Sequence, residues 1–485
     1  MESAMMGRVN WTRPLGDQIL DLSQIPDSTQ GLKLRKFILQ STSSMDWDHL
    51  NSVTDLVIED CNLESISART WASLPRLEHL DITRNPSLVS LQDGAFLGLG
   101  SLRTLDLSSN GISTIGARTF LGLPALEHLS LRKNCLRSID PNAFLGLVSL
   151  RYLNVAANNL TSVPPDAFNG LKSLSRLILA QNALILGPRP NRQCGPHSLD
   201  SDPVLPNQKI RLGDFESFPH LTLLVLDDNN ISKIEDDAFG RHEELKQIWL
   251  NNNHLTSVPG SLPKALKVLY LEENLIQTLE ADSFPGLVAL EALFLRRNLI
   301  SHVAPDAFRS LASLRTLNLV GNSITSFEWQ SFAGLEALQR LDISLNPLIK
   351  LSNCFQPFIS LKVLKMGGIK SRNVSVENQR IFSSLERLEE LELRGSPGLS
   401  KTIIESEEML KDLSNVRSLD LSNNGLKFLG TVFFELLGNL ESLDLRRNEW
   451  ACENESILVL AKELSGNQKH KFLQPMNIKC SSPVE

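Results

Sequence analysis

The chain has 485 residues, with 48 lysines and arginines against 55 aspartates and glutamates, for a formal charge of −7. A negative chain repels phosphate unless a basic stripe offsets it; Arg132 with Lys133, and Arg446 with Arg447, read as isolated pairs, so no nucleic acid is expected as a partner. No run of about twenty apolar residues occurs, so no direct membrane span is expected, and six cysteines without a CxxC or His/Cys cluster predict no metal site.

Residues 1–52 contain no cysteine, and MESAMMGRVNWTRPLGD has no apolar run of signal-peptide length. Within this atypical N-terminal segment LKLRKFILQST reads as a worn first repeat, with Leu34, Phe37, Leu39 and Thr42 in template positions.

From residue 53 to 449 one frame recurs, LxxLxLxxNxL, as in LRTLDLSSNGI, LRYLNVAANNL and VRSLDLSNNGL. Its ladder position is held by Cys61, Asn85, Asn110, Asn134, Asn158, Asn182, Asn229, Asn253, Asn274, Asn298, Asn322, Asn346, Ile369, Ser396, Asn424 and Asn448, sixteen rungs of which thirteen are asparagine. Nine of the fifteen intervals are 24 residues, a period that marks a solenoid. The LxL core alternates inward apolar with outward variable residues, so each turn gives one short strand, and strands one per turn stack in parallel. With rungs about 4.8 Å apart, the resulting sheet would be roughly 75 Å long. Asparagine suits the ladder because its amide both donates and accepts, and so satisfies backbone groups where the chain leaves the strand.

Fourteen residues before the next rung runs a second column: Trp71, Phe96, Phe120, Phe144, Phe168, Phe215, Phe239, Phe284, Phe308, Phe332, Phe355, Phe382 and Phe434. These rings are expected to stack as a spine on the convex side, as core that binds nothing.

On these motifs the chain, from about Val53 to Trp450, resembles the 24-residue class of leucine-rich repeat proteins common in extracellular receptors and secreted proteins. The resemblance implies an α/β repeat fold, a horseshoe whose concave parallel sheet binds a protein or other macromolecule. The continuation EWACENESILVLAKEL, with a later cysteine in MNIKCSSPVE, looks like a C-terminal cap over 450–485, and it implies a Cys452–Cys480 disulfide worth roughly 3 kcal/mol. Asn454 stands where the commoner cap of this family has a further cysteine, and the simpler form resembles caps of secreted arthropod immune proteins. Similarity to these and to Toll-type receptor ectodomains implies recognition, in innate immunity or adhesion, by a secreted or extracellular protein. An intracellular scaffold docking a protein partner in the cytoplasm is the alternative. Sequons stand at Asn10, Asn159, Asn230, Asn373 and Asn454. Cys61 reads as a core thiol, while Cys135, Cys194 and Cys354 fall at turn or loop positions and leave pairing or free thiols open.

One interval, Asn182 to Asn229, is double length, and its Pro- and Gly-rich centre reads as a loop insertion at 185–210. The Asn253 to Asn274 rung is three residues short, and SKTIIESEEMLKDL predicts a helix in a lengthened turn.

The residue between the two strand leucines faces out of the sheet. That column is polar at both ends, but in five consecutive rungs it reads Ile178, Val225, Trp249, Tyr270 and Phe294, with Tyr152 on the same side two rungs earlier. Asp227, Asp228, Glu272, Glu273, Arg296 and Arg297 flank the stripe, an apolar centre with a charged rim. Exposed together, these residues and the adjoining insertion are expected to form the principal site for a ligand, or for a homo- or heterodimer. No catalytic residues are expected: HEEL at His242 lacks a second histidine, no GxSxG occurs, and the recurring aspartates share one template position. Neither an enzyme activity nor a cofactor is predicted.

Overall fold

Each LxL core forms a strand of three to five residues in the computed structural model, which describes residues 2–5, 8–12, 20–68, 70–162, 165–182, 209–239 and 241–450. The predicted cap with Cys452, Cys480 and Asn454, and the insertion apart from Lys209 and Ile210, lie outside the described residues.

The chain divides into two compact units, Met1–His254 and Leu255–Glu485. In the first, nine strands stack in parallel: Gly31–Arg35, Asp55–Glu59, His79–Thr83, Thr104–Asp106, His128–Ser130, Tyr152–Asn154, Arg176–Ile178, Leu223–Val225 and Gln247–Trp249. Ahead of them Arg8–Thr12 pairs in parallel with Gly31–Arg35 and antiparallel with Glu2–Met5, a hairpin on the open edge of the sheet. In the second unit eight strands stack the same way: Val268–Tyr270, Ala292–Phe294, Thr316–Asn318, Arg340–Asp342, Val363–Lys365, Glu390–Glu392, Ser418–Asp420 and Ser442–Asp444. Both units are therefore parallel-strand solenoids.

Register is strict because leucine faces leucine: Leu56, Leu80 and Leu105 align across neighbouring turns, and all are buried. The worn first turn keeps the same logic, with Leu34, Phe37, Leu39 and Thr42 all buried.

The chain leaves each strand through a left-handed residue just before the ladder. Arg84, Ser109, Lys133, Ala157, Gln181, Asp228, Asn252, Glu273, Arg297, Leu345, Asn423 and Arg447 all have φ between 50° and 61°, and Gly321, Gly368 and Gly395 occupy the same place in other turns. Side chains there cost about 1 kcal/mol relative to glycine, and the ladder asparagine holds the bend. Asn298 Nδ2 donates to the carbonyls of Leu271 (2.8 Å) and Leu295 (3.1 Å), while Oδ1 accepts from Ile276 N (3.1 Å). One side chain thus ties three backbone groups on two turns. The departures imitate it: Ser396 Oγ donates to Met366 O at 2.7 Å and accepts from Ile369 N at 2.9 Å, serving the rung where isoleucine has no polar atom.

The phenylalanine column stacks as expected, with ring centroids 5.7–5.9 Å apart from Phe96 to Phe168 and 5.8–6.1 Å apart from Phe284 to Phe332. Phe218 and Phe358 add a ring at one point in each unit, lying 5.3 Å from Phe168 and 5.0 Å from Phe332. At the last turn the expectation fails. Phe433 is buried and Phe434 is not, because Thr431–Leu436 is α-helical where other turns are tight or 3-10, and the changed rotation per residue brings the preceding residue into the core. The expected helix in SKTIIESEEMLKDL is two, Pro397–Ile404 and Glu407–Asp412, divided where Ser406 caps the second by accepting from Met409 N.

Cys61 and Cys354 are free and buried, with thiols pushed up to about 11 and about 12 by loss of solvent. Cys135 is disulfide-bonded. Alkylation followed by non-reducing peptide mapping is therefore expected to leave Cys61 and Cys354 unlabelled until denaturant is added and to find Cys135 in a bridge; rapid native labelling of Cys135 would contradict this.

Candidate functional site

Why aspartate and asparagine recur on the open face follows from the strand exit. Asp106, Asn154, Asn318, Asp342, Asp420 and Asp444 each accept, through Oδ1, the backbone N–H two residues on, at 2.8–3.0 Å. This is the Asx turn, in which a short polar side chain satisfies the first unpaired donor after the strand. The recurring aspartates are thus accounted for by backbone geometry.

Against that rule the last three turns of the first unit carry Ile178, Val225 and Trp249, and the first two of the second carry Tyr270 and Phe294. None of these side chains can cap a strand exit. In the Trp249 turn the task passes to the neighbouring turn, where Asp227 Oδ1 accepts from Asn251 N at 2.7 Å. Asp228, half-buried, accepts from Asn252 Nδ2 at 2.7 Å and Gln181 Nε2 at 3.4 Å. Both carboxylates are occupied in holding turns together, which the sequence did not reveal because their partners are 24 or more residues away.

The stripe is less open than its position alone suggests. Val225 is 7 % exposed and belongs to the core, a correction to its reading as an exposed residue: its in-register neighbours Ile178 and Trp249 cover it on both sides. Ile178 and Trp249 are half-buried. Tyr152 in the first unit lies among polar groups, its ring 5.5 Å from the Arg176 guanidinium and 5.8 Å from His128, its hydroxyl accepting from Asn154 Nδ2 at 3.1 Å.

In the second unit Tyr270 and Phe294 stack nearly face to face, 4.5 Å between centroids and 5° between planes, both half-buried on the open side of the sheet. In-register Val268 and Ala292 extend that apolar surface. One side is charged: Glu273 pairs with Arg297 at 3.0 Å, and Arg296 Nε is buried without a hydrogen-bond partner. Burial raises the Glu272 carboxyl, against the opposing pull of Arg296. Polar positions follow at once, with Asn318, then Asp342, raised by burial, then Lys365, paired to Glu392 at 2.9 Å and Glu390 at 3.4 Å.

Of the sequons, Asn10 and Asn373 are exposed, and Asn159 and Asn230 are half-buried at the turn after the ladder. Among the described residues no group of His, Cys, Asp or Glu is placed to hold a metal, and no helix is long and apolar enough to cross a membrane.

The family model for leucine rich repeats matches residues 51–112, 101–160, 219–263, 264–324 and 314–368. Lumican of Bos taurus is 31% identical over 274 residues, which make up 53% of this chain and 68% of lumican. Among solved structures, the TLR13–ssRNA13 complex aligns with a TM-score of 0.76 at 24% identity, covering 96% of this chain and 67% of the receptor chain. The Drosophila Toll–Spatzle complex in its glycosylated form aligns with a TM-score of 0.69 at 20% identity, covering 95% and 64%. At such identities the likeness is one of fold. Because a chain of this fold was solved with single-stranded RNA, net charge is no ground for excluding nucleic acid, and that expectation is withdrawn. Repeat frame, ladder, spine and relatives agree: the chain belongs to the leucine-rich repeat family.

Proposed function

We propose that the chain is a non-catalytic, extracellular recognition protein that holds a macromolecule, a protein by preference, on the open face of its sheet, centred in the second unit on Tyr270 and Phe294. The observation that carries this is the replacement of strand-capping Asp or Asn by a stacked aromatic pair on a surface whose packing does not require it. Aromatic anchors beside charged groups are the chemistry of binding hot spots. The disulfide at Cys135 favours an oxidising compartment, and the Toll–Spatzle and TLR13–ssRNA13 complexes are precedents for macromolecular ligands on this fold.

The test compares capture of protein and RNA ligands from extracellular fluid by the unaltered chain and by Tyr270→Ala, Phe294→Ala and Trp249→Ala. Val288→Ala, at an exposed position four residues after Phe284, serves as control. A ligand bound here is expected to weaken at least about tenfold in the first two variants, the loss of one hot-spot side chain, and to be unchanged in the control. Retention of every ligand by both Tyr270→Ala and Phe294→Ala would end this reading.

A further inference from the structure

Charge collects on one edge of the first unit, where the strands end. In-register pairing sets Arg35 beside Glu59 and Glu59 beside Thr83, and backbone bonds from Arg84 N to Ser108 O and from Ser109 N to Arg132 O carry the alignment on. The residues that follow these, Lys36, Asp60, Arg84, Ser109 and Lys133, take the left-handed position in five successive turns. Glu59 is ringed by Lys33 Nζ at 2.7 Å, Arg84 Nη1 at 2.9 Å and Arg35 Nε at 3.9 Å. The hydrogen bond from Lys33, reinforced by the field of all three cations, holds its carboxyl below the usual carboxylate range. One carboxylate therefore answers three cations, and two positive charges remain. Lys36, Arg132 and Lys133 are exposed and form no ion pair among the described residues. Over these turns, about 19 Å at 4.8 Å per turn, the two edge columns set five cations, Arg35, Lys36, Arg84, Arg132 and Lys133, against Glu59 and Asp60, with Lys33 reaching Glu59 from the middle column, an excess of positive charge in a chain whose net charge is −7.

Two features define what would bind there. Asp81 and Asp106 occupy the middle column of the same turns and Asp55 the far end of its strand, so an anion is repelled from the middle of the face and kept to the edge. Between the cations stand the hydroxyls of Thr83, Ser108 and Ser109, and neither edge column of these turns carries an aromatic side chain on which a base could stack. We propose that this edge, from Arg35 to Lys133, binds a linear sulfated polysaccharide, with Arg35, Lys36 and Arg84 at one end and Arg132 and Lys133 at the other.

The probe is immobilised heparin, measured over a salt series with the full chain. The unaltered protein is expected to be retained, and R84Q/R132Q/K133Q to bind about tenfold more weakly or less, with a shallower salt dependence because fewer counterions are released. E59Q, which removes an anion from the same cluster, is expected to be retained more strongly. K370Q/R372Q/R387Q, which makes the same change in net charge on exposed positions of the second unit, is expected to elute with the unaltered protein. The proposal is overturned if the first triple variant elutes with the unaltered protein, if the second falls as far as the first, or if single-stranded RNA displaces the chain from heparin at lower concentration than soluble heparin does.

Discussion

Asn298→Ala is expected to lower stability by about 3 kcal/mol, since it strands one buried backbone N–H, at roughly 1–3 kcal/mol, and removes one of two hydrogen bonds from each of two buried carbonyls, at roughly 0.5–1.5 kcal/mol apiece. The N–H is that of Ile276, and the carbonyls are those of Leu271 and Leu295, which keep Asn274 Nδ2 at 3.2 Å and Asn322 Nδ2 at 3.0 Å; Asn298 itself is buried, so water does not replace it. Asn298→Ser is expected to cost less, because Ser396 shows a hydroxyl making two of the three bonds on this ladder. Asn298→Asp is expected to cost at least as much as alanine, since it keeps the acceptor, loses both donors and buries a charge against two carbonyl oxygens. The readouts are the urea midpoint and native-state hydrogen exchange at Ile276, whose protection would fall first in the alanine variant. An alanine variant with the midpoint of the unaltered chain would show that the ladder amides are not what holds the turns.

The parts legible in the sequence are those in which one residue type repeats at a fixed spacing for a local reason. Asn85, Asn110 and Asn322 do the same work in each turn, and so do Phe120, Phe144 and Phe308, so position in the frame predicts environment. Legibility ends where the frame's phase changes or where partners are far apart in sequence. Phe434 loses its place to Phe433 because a helix replaces the usual tight turn, and no residue identity announces that rotation. Val225 alternates outward like its column neighbours, yet larger residues on either side bury it. Charge is the clearest case. Arg103 lies 2.7 Å from Glu127 and 4.0 Å from Glu78 in the first unit, and Lys267 lies 2.7 Å from Glu291 and Arg417 3.7 Å from Glu441 in the second, all at the same position of the repeat. In sequence these partners stand 24 or 25 residues apart and look unrelated. The same separation hid the basic edge of the first unit, where Arg132 and Lys133 read as an isolated pair. In the aligned turns they share an edge with Arg84, Arg35 and Lys36.

Whether an aromatic residue is scaffold or site is the distinction on which the functional reading depends, and two substitutions in the second unit separate the cases. Phe308 is wholly buried between Phe284 and Phe332, with ring planes within 13° of both neighbours and centroids 5.8 and 6.1 Å away. Phe308→Ala removes a ring from a continuous stack whose backbone is pinned on each side, including by the bond from Leu311 N to Phe308 O, so the cavity has little room to close. The expected loss is about 4 kcal/mol, the range for deleting a buried phenylalanine side chain. Phe294 lies on the opposite side of the strand from the buried Leu293 and Leu295, half-buried against Tyr270 alone among the described ring pairs. Phe294→Ala is expected to cost only about 1 kcal/mol, the worth of one aromatic pair. Binding should order the two variants the other way: Phe308→Ala, at temperatures where it remains folded, keeps its ligand, and Phe294→Ala loses it. If thermal melting ranks them equally, or if Phe308→Ala loses ligand while still folded, the division between a structural spine and a recognising face is wrong, and the aromatic pair at Tyr270 and Phe294 is one more piece of scaffold.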